Sequence, residues 1–391
     1  MWRVPRRGIG MTGILTLNAG SSSLKFGLYR SAEEPDLLIE GQVDGIGLGA
    51  VLEMELPEGK TRDKVSAATQ DEALSRAMTA LKPHLRGMEI AGVGHRVVHG
   101  GLDFVGPVVL TAEVEAALAA LVPLAPLHQP HNLAGVVAAR AAFPGAVQVA
   151  CFDTAFHRGH PWVNDTFAIP RAYYDEGIRR YGFHGLSYDY ITGVVARDFP
   201  ELHKGKIIVA HLGSGASMCA IRQGRSVGST MGFSALDGLP MGTRCGQIDP
   251  GVVLHLLVEK GMSPKAVHHL LYEESGLLGL SALSGDMRTL LEADTPEARQ
   301  AIDYYVFRAR REIGALSAVL GGLDALIFCG GIGENAAPIR ERIIEGMDYL
   351  GLWLNGGEGD DPRDIGGGPT RILVIPTDEE RIIARAVEAV I

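Results

Sequence analysis

Three short apolar runs in this 391-residue chain end in turns of glycine and small polar residues. They read ILTL-NAGSSS-LKFGLY at 14–29, KIIVAHLGSGASMCAIRQG at 206–224 and DALIFCGGIGENAAPIRERIIEGM at 324–347. Such turns suit phosphate, because glycine lets backbone N–H groups approach an anion closely and hydroxyls donate to its oxygens. Neither of two familiar nucleotide motifs is present. NAGSSSLK lacks the spacing of a Walker A loop, and GGIGEN lacks the third glycine of a dinucleotide fingerprint. The formal net charge is -10, so anionic substrates would have to be met by local cations. A nucleic-acid surface, which needs clustered Lys and Arg on a basic background, is excluded on the same ground. His128/His131 and His157/His160 stand at i,i+3, a spacing open to zinc, but no CxxC or HExxH accompanies them and zinc is set aside.

The elements that must carry these turns follow from periodicity. Alternation resumes after NAGSSS, which predicts a β-hairpin rather than a strand-to-helix turn. HLGSGAS shows the same order of strand, small-residue turn, strand and polar turn. Laying Asn18–Ser21 over His211–Ser214 separates the two copies by about half the chain, which predicts an internal duplication with one hairpin per domain. The third turn should open a helix, since Ile339, Ile343 and Met347 follow at helical spacing. Helical patterns also fill 69–82, 111–122, 131–142, 187–199, 250–259 and 296–320, with strands near 90–98, 147–151 and 371–375. That mixture is α/β. The polar stretch at 355–370 reads as a surface loop.

Length predicts two domains, hence a cleft. A hydrophobic share of 46% with 21% charge is that of a soluble globular protein, and no apolar run reaches the roughly 18 residues of a membrane span. Four cysteines (Cys151, Cys219, Cys245, Cys329) without a CxxC pair read as reduced thiols of a cytoplasmic protein. The basic opening MWRVPRRGIG precedes an apolar run too short for a signal-peptide core. Residues 1–11 are expected to be a disordered leader, with Met11 an alternative start.

The company these turns keep is more specific: GHRVVHGG at 94–101, LAPLHQPHN at 124–132, CFDTAFH at 151–157, RRYGFHG at 179–185, LPMGTRCGQIDPG at 239–251 and the terminal IPTDEE. With the glycine turns, they resemble the acetate kinase family over nearly the whole chain and in the family's order. The resemblance implies a duplicated two-domain, ribonuclease H-like (actin-like ATPase) α/β fold with an interdomain active-site cleft. It places an N-terminal, substrate-side domain at 12–154 plus 376–391 and a nucleotide-binding domain at 155–375. The implied activity is reversible in-line phosphoryl transfer from ATP to acetate with Mg2+, Mn2+ being an alternative ion. A homodimer is implied by the resemblance alone.

Residue by residue, the resemblance assigns Arg96 to the substrate and Arg244 and His184 to the transition state. Guanidinium groups offer bidentate donors and keep their charge, and an imidazole can donate to the equatorial oxygens of a transferring phosphoryl group. Asp153 matches the family's proton donor or acceptor. A carboxylate substrate is already ionised at neutral pH, so Asp153 is expected to act as an electrostatic partner of an arginine or a metal-bound water. The acyl pocket is expected from Val98, Leu127, Phe183 and Ala235, with His128 lining the substrate region. Asn18 and Glu379, with Glu380 adjacent, resemble the magnesium-associated positions. ATP is assigned to Ser21, Ser23 and Lys25, to His211, Leu212, Gly213, Ser214 and Gly215, to Asp286, Met287 and Arg288, and to Gly331, Ile332, Gly333, Glu334 and Asn335. Glycine at 331 and 333 is expected to leave room for the nucleoside.

Four positions depart from the family pattern. Ser214 replaces the asparagine of HLGNG, Cys245 and Gln247 stand where Ser and Asp are common, and Ala235 stands where many members carry proline. A smaller residue at 235 predicts an enlarged pocket that accepts propionate at least comparably to acetate. The rivals are a propionate or butyrate kinase of the same superfamily and a non-catalytic ATP-binding scaffold.

Overall fold

Two long stretches of apolar residues, TGILTLNA and KIIVAHL, become the central strands of two separate sheets, and the rest of each sheet grows outward from them. The computed structural model describes residues 11–391 except 21–22, 48, 86, 127 and 357–360. It divides into two compact units, one running up to Ala155 and resuming at Asp378–Ile391, the other Phe156–Thr377. The border falls inside the IPTDEE motif.

The first unit contains β1 (Thr12–Ala19), β2 (Ser23–Arg30), β3 (Asp36–Asp44), β4 (Val51–Leu56), β5 (Gly59–Lys64), β6 (Glu89–Val97), β7 (Val108–Val109) and β8 (Val147–Phe152). Their order is β5-β4-β3-β2-β1-β6-β8-β7. The second unit contains β9 (Lys206–Leu212), β10 (Ala216–Arg222), β11 (Arg225–Ser229), β12 (Ala325–Cys329) and β13 (Arg371–Val374), in the order β11-β10-β9-β12-β13. The run β3-β2-β1-β6-β8 repeats the whole second sheet: two antiparallel pairings, then two parallel ones. The hairpins predicted at 14–29 and 206–224 are the matching β1–β2 and β9–β10.

Burial explains why the central strands read as continuous apolar runs. Ile14, Leu15 and Leu17 in β1 and Ile208, Val209 and Ala210 in β9 are all at most 2% exposed, as expected of strands covered on both faces. Helices supply the covers. Gln129–Ala142 packs on β1 and β6 in the first unit, and Pro296–Leu320 packs on β9, β10 and β11 in the second. Thr295 caps the latter, its side chain accepting from the Ala298 N–H, and Gly321 closes it in the left-handed region at φ 69°.

The C-terminal helix Glu379–Glu388 packs on β1, β6 and β8. Two glycines in β6 make its approach possible. A Cβ at Gly92 would stand 2.3 Å from Val387 Cγ1, and one at Gly94 would stand 2.3 Å from Ile383 Cγ2. Asp378 caps this helix by accepting from the Arg381 N–H, so its first residues, Glu379 and Glu380, are held where β1 and β6 end. Among the described residues no helix is long and apolar enough to cross a membrane.

Candidate functional site

The side chains assigned from the sequence fall into two groups, one in each unit. In the first unit they gather at the ends of β1, β6 and β8. Arg96, near the end of β6, donates from Nε to Asp153 Oδ1 at 2.8 Å and from Nη2 to Asp153 Oδ2 at 2.6 Å. Its third nitrogen, Nη1, donates to Asn18 Oδ1 at 3.0 Å, and Glu379 Oε2 lies 3.9 Å from Nε. Asn18 Nδ2 in turn donates to Glu380 Oε1 at 3.3 Å. Asp153 is buried, at 2% side-chain exposure, and Arg96 nearly so at 19%.

Three carboxylates therefore surround one guanidinium, and the charges answer accordingly. Burial alone would lower the Arg96 guanidinium, but Asp153 and Glu379 outweigh it and hold it above its usual range. Burial pushes the Glu379 carboxyl up to about 7, with Asp153 and Glu380 adding to the rise and Arg96 and Lys25 opposing it. An excess of buried negative charge made only of oxygen donors fits a hard cation such as Mg2+. Among the described residues no cluster of three or more His, Cys, Asp or Glu is arranged to hold a metal by itself. A magnesium ion, which keeps several waters, needs only one or two protein ligands.

Two side chains outside the sequence assignments fix the backbone of this group. Asn132, on the helix Gln129–Ala142, accepts from the Val98 N–H at 3.0 Å and donates to the Ala19 carbonyl at 2.9 Å, tying the ends of β1 and β6 together. Gln70 donates to the carbonyls of Gly20 at 2.7 Å and Ser23 at 3.3 Å, holding both sides of the NAGSSS turn. Asn132 lies within the LAPLHQPHN motif, whereas Gln70 has no signal in the sequence. Lys25 is exposed on β2, paired opposite Asn18 in the register.

In the second unit the group is built from rings, hydroxyls and glycines. His184 takes the left-handed conformation, φ 57° and ψ 26°, at the start of the helix Gly185–Asp198. Its carbonyl accepts from the Tyr188 N–H, its ring stacks on His211 at 4.4 Å between centroids, and its Nδ1 lies 2.8 Å from Ser217 Oγ. His211 Nδ1 is 2.8 Å from Ser187 Oγ, which is also 2.8 Å from Thr377 Oγ1. His157 bonds the Phe183 carbonyl through Nε2 at 2.9 Å, and burial drives its own pKa down to about 3. It is a neutral support for the turn that presents His184.

Gly215 is the point where these groups meet. A Cβ there would stand 3.2 Å from His184 Nε2 and 3.6 Å from Arg244 Nη2. Arg244 is steadied by donating from Nη1 to the Ala235 carbonyl at 2.8 Å. Gly242 N–H donates to the Ser214 carbonyl at 3.3 Å, and a Cβ at Gly242 would be 3.1 Å from the Gly285 carbonyl oxygen. The HLGSG, MGTR and SGDMR loops therefore close around one spot. The GGIGEN turn joins them, because a Cβ at Gly213 would lie 3.8 Å from the Gly331 N.

A model of the acetokinase family matches residues 13–385. The chain belongs to the acetokinase family. An acetate kinase of Methylocella silvestris is 53% identical over 389 residues, covering 95% of this chain and 96% of that one. Among solved structures, the acetate kinase of Porphyromonas gingivalis matches with a TM-score of 0.85 at 36% identity, over 97% of this chain and 99% of that one. A propionate kinase from Francisella tularensis subsp. tularensis matches with a TM-score of 0.89 at 34% identity, over 96% and 99%. The α/β class and the repeated sheet order accord with the two-domain actin-like ATPase fold of this family.

The acetokinase motifs are placed as follows. Asn18, Lys25, Arg96, Val98, His128, Asp153 and Glu379 belong to the first unit, with Ser23 at the start of β2; Phe183, His184, Ala235, Arg244 and the glycine loops belong to the second. Ser21 and Leu127 lie outside the described residues, as does the leader up to residue 10. Leu212 and Met287 are at most 3% exposed, so neither side chain is open to a ligand. Asp286 accepts from the Arg288 N–H and pairs with its guanidinium. Glu334 accepts from the N–H groups of Gly330 and Thr377.

Two local expectations need adjusting. GGIGEN does not merely precede a helix; Gly330–Asn335 is itself a helical turn, and Ala337–Ile344 follows it. Gly331 has open space where a Cβ would be, as expected, whereas a Cβ at Gly333 would touch Phe328 and the Ala210 carbonyl at 3.5 to 3.6 Å. Gly333 thus packs against β9 and β12 at ordinary contact distance, while the open space lies at Gly331. Of the departures, Gln247 accepts from Arg308 at 2.8 Å and also from Arg311 on the helix Pro296–Leu320, which anchors the MGTR loop without a carboxylate.

Proposed function

We propose that this chain catalyses reversible, direct in-line transfer of the terminal phosphoryl group of ATP to acetate, giving acetyl phosphate and ADP. It is a phosphotransferase with a carboxyl group as acceptor. The observation that carries the mechanism is the convergence of an imidazole Nε2 and a guanidinium on Gly215 within a nest of glycine loops. Backbone N–H groups there hold phosphate oxygens, while His184 and Arg244 donate to the equatorial oxygens as charge spreads over them. Arg96 receives the acid's carboxylate. Both oxygens of Asp153 are taken by Arg96, so Asp153 orients that cation and no general base is required.

Asn18 and Glu379 are proposed to hold Mg2+, or Mn2+ in its place, which when bound neutralises charge on the β and γ phosphates. Val98, Leu127, His128, Phe183 and Ala235 are proposed to surround the acyl group. ATP is assigned to Ser21, Ser23, Lys25, the loop His211–Gly215, Asp286–Arg288 and the turn Gly331–Asn335. The chain is further proposed to act in the cytoplasm as a homodimer. The helix Pro250–Val258 supports the dimer: none of its residues is buried, and Val252, Leu254 and Val258 are 44%, 60% and 72% exposed.

A second reading, acceptance of propionate, is favoured by Ala235 and by the likeness to a propionate kinase. Trapping the acyl phosphate as hydroxamate from ATP plus acid tests the main reading. Product formed with acetate supports it; intact protein yielding none from any short fatty acid defeats it and leaves the scaffold. The ratio of kcat/KM for the two acids decides the second reading, and a strong preference for acetate removes it.

A further inference from the structure

The imidazole of His184 has two nitrogens, and only Nε2 faces Gly215 and Arg244. Its other nitrogen, Nδ1, lies 2.8 Å from Ser217 Oγ. On the far side of that hydroxyl, also within hydrogen-bond distance, is the phenol of Tyr188. Ser217 and Tyr188 are both fully buried. Their placement follows from the fold: Tyr188 lies one helical turn beyond His184 on the helix Gly185–Asp198, and Ser217 stands opposite His211 in the β9–β10 register. Three groups are thus strung in a line from a phenol, through a hydroxyl, to a ring nitrogen.

We propose that Tyr188 and Ser217 form a relay that fixes His184 as the tautomer protonated on Nε2, which makes both of them positioning residues. The inference rests on the role proposed above for His184. A phenol is the natural donor of the three and a serine hydroxyl carries a single hydrogen. With Tyr188 donating to Ser217 Oγ, the serine hydrogen is directed at Nδ1, and the ring must then carry its own proton on Nε2. Each hydrogen in the line is used. The opposite order would leave an Nε2 lone pair facing the glycine loops, where it would repel phosphoryl oxygens instead of donating to them. A ring nitrogen's protonation is set by the bond its partner nitrogen makes, and the relay applies that rule at the donor the reaction needs.

Nitrogen-15 spectra of the full-length protein labelled at histidine test this directly, with the His184 signals identified by their absence from His184→Asn. The expected result at neutral pH is a pyrrole-like Nε2 and a pyridine-like Nδ1, giving way to a tautomer mixture in Ser217→Ala. Tyr188→Phe, which keeps the ring packing, serves as the second variant should Ser217→Ala not fold, and should show a smaller change of the same kind. A pyridine-like Nε2 in the parent protein, or a ring protonated on both nitrogens, overturns the relay whatever the kinetics.

In the hydroxamate assay kcat should fall about tenfold in Ser217→Ala and about threefold in Tyr188→Phe, with KM for ATP and acetate within about twofold. An inactive His184→Asn beside a fully active Ser217→Ala rejects the relay and leaves the role of His184 standing. A fully active His184→Asn rejects that role instead, and the spectra still decide the tautomer.

Discussion

The two units share a sheet order but equip the matching hairpins differently. The β1–β2 turn of the first unit sits beside an ion cluster, in which Arg96 is gripped by Asp153 and Asn18 with Glu379 and Glu380 close by. The β9–β10 turn of the second sits beside imidazole rings and hydroxyls, His184, His211, Ser187 and Ser217, with Arg244 as the nearby cation. Asn18 in one hairpin corresponds to His211 in the other. The same strand–turn–strand arrangement can thus hold charge by salt bridging or offer N–H donors around a glycine. The first arrangement suits a carboxylate and a metal ion, whose charges need fixed partners; the second suits a phosphate whose charge is redistributed during transfer.

Removing the second unit's cation should have the largest effect. Arg244→Ala is expected to lower kcat/KM by at least about a thousandfold, the scale on which an arginine stabilises a transferring phosphoryl group, with little change in thermal midpoint. Activity within tenfold of the parent would show that the glycine nest does not need it. Next comes the geometry of the nest. Gly215→Ala places a methyl 3.2 Å from His184 Nε2, closer than most neighbours tolerate, and 3.6 Å from Arg244 Nη2, an ordinary contact. A loss of about a hundredfold in kcat is expected, the cost of a displacement on the order of an ångström at reacting groups. Gly20→Ala, in the first hairpin at the position that corresponds to Gly213, meets Ser23 Oγ at 3.1 Å and the Ser23 carbonyl oxygen at 3.5 Å; a serine hydroxyl can turn away, so this change should cost far less, and equal losses would erase the contrast between the turns.

The first unit's ion cluster makes its own prediction, about stability. The Glu379 carboxyl, ordinarily near 4.5, is pushed up to about 7 in the folded protein, chiefly by burial. Between those values the folded protein keeps a proton that the unfolded chain has released, so stability falls as pH rises through that window. Glu379→Gln cannot ionise and should escape the fall. In metal-free buffer it should gain about 3 kcal/mol over the parent on going from about pH 4.5 to about pH 7.5, read from unfolding midpoints at the two ends. A difference between variant and parent that does not change with pH would mean that the guanidinium already compensates the carboxylate in full.

Much of this contrast is legible in residues alone, for an identifiable reason. Strands β1, β9 and β12 are covered on both faces and so read as apolar runs, and the helix over 296–320 has a full buried stripe from Ala298 to Leu320. Strands β3, β4 and β5 leave no such trace. In β5, GKTRDK, five of six side chains are exposed, and its order comes from pairing with β4 rather than from any periodicity of its own. The site divides the same way. Arg96, His184 and Arg244 stand in distinctive motifs, whereas Ser217, Tyr188 and Gln70 are common residue types whose roles depend on which strands happen to lie opposite. Gly92 and Gly94 were readable in principle, since glycine inside a strand marks a close approach, yet only the fold shows that the C-terminal helix is what approaches.

The smallest expected effect concerns Ala235, whose carbonyl steadies Arg244 at 2.8 Å. Two functions of the residue can then be separated: its backbone holds the second unit's cation, and its short side chain is proposed to leave space that a proline ring would fill. Ala235→Pro keeps the carbonyl and fills the space. If that space admits the extra methylene of propionate, the substitution should lower kcat/KM for propionate about three- to tenfold relative to acetate, within the range a single methylene commands, while kcat with acetate stays within about twofold. A parallel fall with both acids would instead mean that the ring has shifted the carbonyl and disturbed Arg244, and the pocket's breadth would then have to come from Phe183 or another wall residue.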